Sequence, residues 1–302
     1  MTNEKEFRQA AKIIPKTNFV LSEFMAMLAG EKPAVVITLK STGEEKFIID
    51  NFPDLFIAIG HGPWYKENAT CAISRNKESA KLAANYLNVD IIEQGRVLGY
   101  PDCCCKQHQH LIVSNKALDS SFVVFKTYRS TNKCSYLTNN LFNFCSRLGT
   151  NQANFNNLNQ YHKLNKNVFT FFPWNLQYIS HIPYRYDCPK SIKIGREIRL
   201  ILKKYAPLIE EKINYSLAKP ILFFDLFNLI VFNGFFKDNT INYSQIIPPF
   251  FPLANPLIKY IKRGNRIMVS DDKITIYNKN IELFIYKKKN ERDDFVLDFK
   301  QN

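Results

Sequence analysis

Two short segments hold most of the side chains that could do chemistry. The first is Gly99-Tyr100-Pro101-Asp102-Cys103-Cys104-Cys105, three thiols in a row behind a Gly-Tyr-Pro break. The second runs from His181 through Pro183, Tyr184, Arg185 and Tyr186 to Cys188, Pro189 and Ser191. If Asp102 caps a helix, the cysteines after it lie in the first turn, where unpaired amides and the helix dipole favour negative charge. A thiol there ionises more readily, and the thiolate is both the nucleophile and the metal ligand. The second segment adds an imidazole and a thiol seven positions apart, just before a helix start at Pro189. Cys103, Cys104, His181 and Cys188 together form a candidate ligand set for tetrahedral zinc, and iron–sulfur clusters use the same thiolates. Cys105, Tyr184 and Arg185 are candidate accessory groups, and His108 and His110 follow on the same element. Adjacent ligands such as Cys103 and Cys104 are unusual for plain zinc modules, which favour spaced pairs. A thiol-redox site, or cysteines that only pack as small hydrophobes, stay open as alternatives.

The pattern Gly-Tyr-Pro-x-Cys-Cys at 99–104, followed far downstream by His-x-Pro-x(4)-Cys-x-x-Ser at 181–191, resembles an uncharacterised archaeal and bacterial family, the domain of unknown function 483. The resemblance covers about residues 70 to 215. It implies that the two half-motifs act together, and it carries no activity with it. In that family the second motif reads His-x-Pro-Cys, and the matching position here is Tyr184. A ligand set that includes this position is one thiolate short in this chain. Either Cys105 substitutes or the metal has been lost.

The seven cysteines are odd in number, and the stretch MTNEKEFRQAAKII has neither an apolar core nor a small-residue cleavage site. The chain therefore reads as cytoplasmic, with reduced thiols serving as ligands or redox groups rather than staples. A net charge of +14 would attract phosphate-rich partners. That leaves a second reading, a basic nucleic-acid-binding protein using Lys193, Arg196 and Lys203 on one helix with Tyr184 and Tyr186 as stacking groups. A third is a non-catalytic scaffold with a vestigial site. Gly60-His61-Gly62-Pro63-Trp64 reads as a plain turn. No phosphate loop, His-Glu-x-x-His pair or nucleophile-elbow serine occurs. The most apolar stretch, Ile221 to Phe236, is shorter than the roughly 20 residues of a membrane span and carries Asp225, so it reads as a buried helix. The reaction, if there is one, is not legible.

These groups need a scaffold. With 46% hydrophobic residues and 23% charged, the chain is that of a folded protein. Apolar periodicity predicts two helices in the first ~30 residues, then helices at about 76–87, 90–98, 102–113, 117–129 and 189–205, with Pro207 breaking the last or starting another. The β-branched runs 34–40 and 46–50 around Ser41-Thr42-Gly43 predict a β-hairpin, and a further strand is expected at 69–74. Residues 130–180 read as long loops with one or two strands, and Pro248 to Pro256 as a turn. The runs 266–270, 273–277 and 281–286 predict a β-meander. The expected class is α+β: mixed helices with an N-terminal β-hairpin region and a C-terminal β-meander. The expected domains are 1–188, carrying the Cys-Cys-Cys motif, and 189–302, packed with the first as one unit.

Overall fold

The computed structural model describes residues 4–16, 20–38, 44–61, 69–85, 89–113, 120–142, 176–225, 228–247, 257–288 and 294–300. The fold is α+β. It divides into two compact units: Met1–Ala117 with Tyr178–Tyr184 and Cys188–Glu211, and Leu118–Gln177 with Arg185–Asp187 and Lys212–Asn302. Both half-motifs contribute their cysteines and the histidine to the first unit.

In the first unit, α1 (Glu4–Ile13) and α2 (Leu21–Leu28) form where the periodicity places them. Helix α1 buries Phe7 and Ala10, whereas α2 is buried almost all round, including Phe24, Met25 and Met27. A small antiparallel sheet follows, ordered β1–β3–β2 from β1 (Val35–Thr38), β2 (Phe56–His61) and β3 (Ala69–Ser74). The expected hairpin is not there. Residues 46–50 lie instead in α3 (Glu44–Asn51), and β1 pairs with β3 through Val35↔Ile73 and Ile37↔Cys71. The run Phe47-Ile48-Ile49 shows why. Only Ile48 is buried, together with Phe52 four residues on, while Phe47 and Ile49 face solvent. That is a helical spacing of buried positions, and the β-branched composition concealed it. Strand β2 was not anticipated, and it takes in Gly60 and His61 of the expected turn; residues 62–64 lie outside the described residues.

Helix α4 (Lys77–Ala84) packs Ala83 and Ala84 into a small core with Ala34 and Ala72. Its cap is Asn76, whose Oδ1 accepts from the Ser79 amide at 3.0 Å, rather than Ser74. Ser74 instead donates to the Pro33 carbonyl at 2.6 Å. Then come α5 (Ile91–Val97), capped by Asp90, α6 (Asp102–Val113) and, after the first unit's sequence gap, α8 (Pro189–Tyr205). Between the last two in sequence lies α7 (Ser120–Arg129) of the second unit. Pro207 begins α9 (Pro207–Leu217), in which the division between units falls.

The second unit is built on a seven-stranded antiparallel sheet ordered β10–β4–β5–β6–β7–β8–β9. The strands are β4 (Pro220–Asp225), β5 (Asn228–Lys237), β6 (Thr240–Ile247), β7 (Arg266–Val269), β8 (Lys273–Asn278), β9 (Ile281–Lys287) and β10 (Phe295–Asp298). The C-terminal meander is thus present and is part of a larger sheet. The buried helix expected at Ile221–Phe236 is instead the β4–β5 pair, with Ile221↔Val231 and Leu222↔Ile230 in register. A continuous apolar run fits a strand covered on both faces as well as a buried helix, and Asp225, paired with Asn228, marks the end of the ladder. One sheet face carries the core of Leu222, Ile230, Phe232, Ile241, Ile267, Ile274 and Ile276, closed by Leu257 and Ile261 of α10 (Leu257–Ile261).

The segment 130–142 holds the 3₁₀ turn Tyr136–Thr138, an isolated bridge from Ser135 to Lys300, and helical backbone at 141–142. Of the rest of the expected loop region, 176–180 has neither helix nor strand, and 143–175, like Pro248 to Pro256, lies outside the described residues. Tyr186 is in this unit and is buried. Its amide donates to Thr131 Oγ1 at 2.7 Å, its carbonyl accepts from Thr138 Oγ1 at 2.5 Å, and its ring meets Phe299 edge-on at 5.0 Å. It is a core residue, not an exposed stacking group. Arg185 pairs with Asp187 at 2.9 Å.

Candidate metal centre

Two helix starts make the site. The chain leaves α5 through Gly99 at φ +74, where an added Cβ would sit 2.8 Å from Pro33 Cδ. Glycine is required there both by conformation and by space. Pro101 then opens α6: its carbonyl accepts from the amides of Cys104 at 2.8 Å and Cys105 at 3.0 Å. Asp102 is therefore the first helical residue and not the cap. Its carboxylate lies 3.5 Å from Arg96 Nε. The thiols still fall in the first turn, as the sequence predicts. On the other side, Cys188 is the N-cap of α8, with Pro189 at the first helical position and the Ile192 amide bonded to the Cys188 carbonyl at 2.9 Å. Proline suits that position because its missing N–H would have no helical partner.

These two starts converge three sulfurs. Cys103 Sγ is 3.9 Å from Cys104 Sγ and 3.8 Å from Cys188 Sγ, and Cys104 and Cys188 are 4.0 Å apart. Cys104 and Cys188 are buried and Cys103 is half-buried, so the group has one partly open corner. The three could hold a metal ion.

The charge distribution is uneven. Cys188 is drawn below the ordinary thiol range, first by the hydrogen bond from Cys104, with the Ser191 hydroxyl and amide and Cys103 adding to it against the cost of burial. Cys104 is pushed far up, by giving its proton to Cys188 and by burial. Cys103 is raised by burial and then by the nearby Cys188 charge. One thiolate at a helix cap is thus shared by two thiols, and the three titrate as a set.

His181 stands one hydroxyl away. Its Nε2 meets Ser191 Oγ at 2.8 Å, and Ser191 Oγ meets Cys104 Sγ at 3.4 Å. Burial, and then the charge on Lys32, lower the His181 pKa to about 3, so the imidazole is neutral. Its ring lies 5.2 Å from that of Tyr100. Behind it, Lys32 is buried between the Glu23 carboxylate and Ser180 Oγ, the latter at 3.1 Å, and sits 5.2 Å from the centre of the Tyr100 ring. Ser180 in turn donates to Tyr100 Oη at 3.3 Å. Of these groups, Tyr100 and Ser191 lie within the two motifs, whereas nothing in the sequence marks Glu23, Lys32 or Ser180. Ser191 is the third helical residue after the Cys188 cap, and that place in the first turn is the signal that could have exposed it.

The remaining candidates sit elsewhere. Cys105 turns to the Tyr100 carbonyl at 3.7 Å, and its pKa is pushed up to about 11 by burial first. It packs on Gly95, where an added Cβ would come within 2.2 Å of its sulfur. The backbone amide of Tyr184 points at the Cys104 sulfur and stabilises its thiolate form. Arg185 belongs to the second unit; His110 is exposed, and neither it nor His108 joins the sulfurs.

No protein-family model, curated protein or solved structure matches the chain.

Proposed function

We infer that this protein binds a single soft metal ion, zinc first, through Cys103, Cys104 and Cys188. The observation that carries the reading is the sulfur triangle of 3.8, 3.9 and 4.0 Å. Thiolates at ~2.3 Å from one tetrahedral zinc stand roughly 3.8 Å apart, so the three sulfurs match one face of such a site. In an iron–sulfur cubane each cysteine holds a different iron, which spreads the sulfurs further. The resemblance to the domain of unknown function 483 is in keeping with a joint role for the two half-motifs, and Tyr184 at the fourth thiol's position leaves a three-thiolate set. Three protein ligands and an open position are what catalytic zinc sites keep, whereas structural sites are closed by four. His181 and Ser191 would orient the set from outside it, in the manner of a ligand's hydrogen-bond partners.

A thiol-redox reading has one observation in its favour: a stabilised thiolate, Cys188, in contact with the half-buried thiol of Cys103. Metal analysis separates the two. The chain is purified reduced, stripped and reloaded with cobalt. About one equivalent with intense sulfur-to-metal absorption, lost in Cys188→Ser, is expected. Absence of that absorption, or its persistence in a Cys103, Cys104 and Cys188 triple serine variant, refutes the metal reading.

A further inference from the structure

The sheet of the second unit has a second face, which is buried over β4 and the start of β5, at Ile221, Phe223 and Val231, and carries exposed side chains from the end of β5 to β9. Ile241, Ile267, Ile274 and Ile276 point to the core, so the residues alternating with them face the other way. These include Phe235, Met268 and Ile285, which are 60%, 47% and 42% exposed. Arg266 lies between Asn242 on one side and Tyr277 on the other, and its guanidinium carbon is 4.6 Å from the Tyr277 ring centre. Phe235, Lys237, Asn242, Arg266 and Met268 line a shallow groove of about 320 Å³ on this face.

We propose that this open face of β5 to β9 binds single-stranded nucleic acid. The reasoning is chemical. An exposed aromatic ring gives any base a stacking surface, and a cation beside it takes the adjoining phosphate. Phe235 supplies the first; Arg266 and Lys237 supply the second. Asn242, directly between Phe235 and Arg266 in register, offers an amide to a base edge. Lys273 and Lys287 are paired across β8 and β9 on the same face, extending the positive track beyond the groove. Asp238, 4.0 Å from Lys237, and Glu282 lie among these four cations, and Asp272 in the β7–β8 turn stands beside Lys273. A net charge of +14 for the chain points the same way.

Two irregularities in the ladders serve this face. The register shifts between Asn233 and Gly234, and again between Ile276 and Tyr277. At the first, an added Cβ on Gly234 would meet the Asn242 carbonyl oxygen at 2.0 Å, so β5 and β6 approach there as only glycine permits. Bulges re-aim side chains and are enriched beside functional surfaces. Here they flank the row Phe235–Asn242–Arg266–Tyr277. A second copy of the chain fits the face less well, because a symmetric pairing would set Lys237, Arg266, Lys273 and Lys287 against like charges.

The test uses the whole chain and fluorescence anisotropy with short labelled oligouridine and oligothymidine at low and physiological salt. Binding that weakens steeply with salt is expected. Phe235→Ala should weaken it by about 5- to 100-fold, as loss of one stacked base does. Arg266→Ala should weaken it and lower the salt slope by about one. Because Phe235 is exposed on this face, an unchanged thermal melt is expected for Phe235→Ala, and Arg266→Ala, which also removes the stack on Tyr277, is assayed at a temperature where its own melt shows it folded. Lys193→Glu with Arg196→Glu on α8 should leave affinity unchanged. The proposal is overturned if no oligonucleotide binds at low salt, or if both sheet variants bind like the parent. It is also overturned if the α8 variant alone loses binding, or if phosphatidylserine vesicles bind while the oligonucleotides do not.

Discussion

Cys188 and Phe235 differ sharply in exposure: the thiol is fully buried, the ring 60% exposed. Each breaks a rule of its own neighbourhood. A buried group that ionises is costly unless partnered, and Cys188 is surrounded by two thiols, a hydroxyl and a helix-start amide. A large ring left in water on a sheet face lacks the burial that stabilises Phe232, two strand steps and one register shift away in the same ladder. In the first unit, then, function is read from how completely polar groups are satisfied. In the second it is read from apolar surface that packing leaves unsatisfied. The two regions fail independently and can be tested independently.

The largest expected effect is at the thiols. Removing a hydrogen-bond partner of a metal ligand costs about 10–100-fold in affinity, so removing a ligand should exceed that. Cys188→Ser is expected to weaken zinc binding by more than about 100-fold, measured by competition with a chromophoric chelator, and Ser191→Ala by about 10–100-fold. Cys105→Ala should leave zinc affinity unchanged, since its sulfur faces the Tyr100 carbonyl. Equal losses for Cys105→Ala and Cys188→Ser would break the assignment of the three ligands.

Gly95→Ala comes next. Its Cβ would meet the Cys105 sulfur at 2.2 Å. Overpacking of this kind costs about 1–3 kcal/mol, partly offset by the better helix propensity of alanine, about 1 kcal/mol at most. Chemical denaturation should show the loss, and most of it should return in the Gly95→Ala, Cys105→Ala double variant. Failure of the second change to restore stability would mean that Cys105 is held by something other than this contact.

A smaller and pH-dependent effect belongs to His181. Its folded pKa is depressed to about 3, first by burial and then by Lys32. In the unfolded chain the value is ~6.5, so on acidification the unfolded state takes up a proton that the native imidazole does not. The stability tied to His181 is full above ~6.5 and is lost as pH falls toward the folded value. The slope of denaturation midpoint against pH between those limits should flatten in His181→Asn. An NMR titration that finds the His181 ring protonating near its unfolded value would rule this out.

How far these sites could be read in advance differs between the regions for a physical reason. The thiol site announces itself through residue types that are rare and spacings that mark helix starts. Cys103, Cys104 and Cys188 were therefore legible, although Cys188 lies 84 positions from Cys104 and 85 from Cys103. Lys32 and Glu23 were not, because a buried ion pair looks in sequence like any two surface charges. Helices with a polar face, such as α4 and α8, declare their period. Strands β4 and β5 were misread because a ladder buried on both faces has no alternation to show, and α3 because its β-branched residues carry the opposite propensity. Whether Phe235 or Phe232 faces the core depends on register, and sequence does not fix register when aromatics occupy both parities.

The least effect is expected where the sheet face is concerned, and its smallness is the point. Phe235→Ala removes a large ring, and at a buried site that costs about 3–5 kcal/mol. At a surface position away from caps, cores and networks the change stays within about 0.5 kcal/mol. Phe235 pairs with Asn242 across β5 and β6 and turns its ring away from the core that Phe236 and Ile241 join. Thermal and urea melts of the Phe235→Ala chain should therefore overlay those of the parent. Coincidence leaves the ring without a stabilising role, and a contact surface is what remains to account for it. A loss above about 1.5 kcal/mol would instead put the ring in the range of core substitutions, and the open face would have to be redrawn as an interior one.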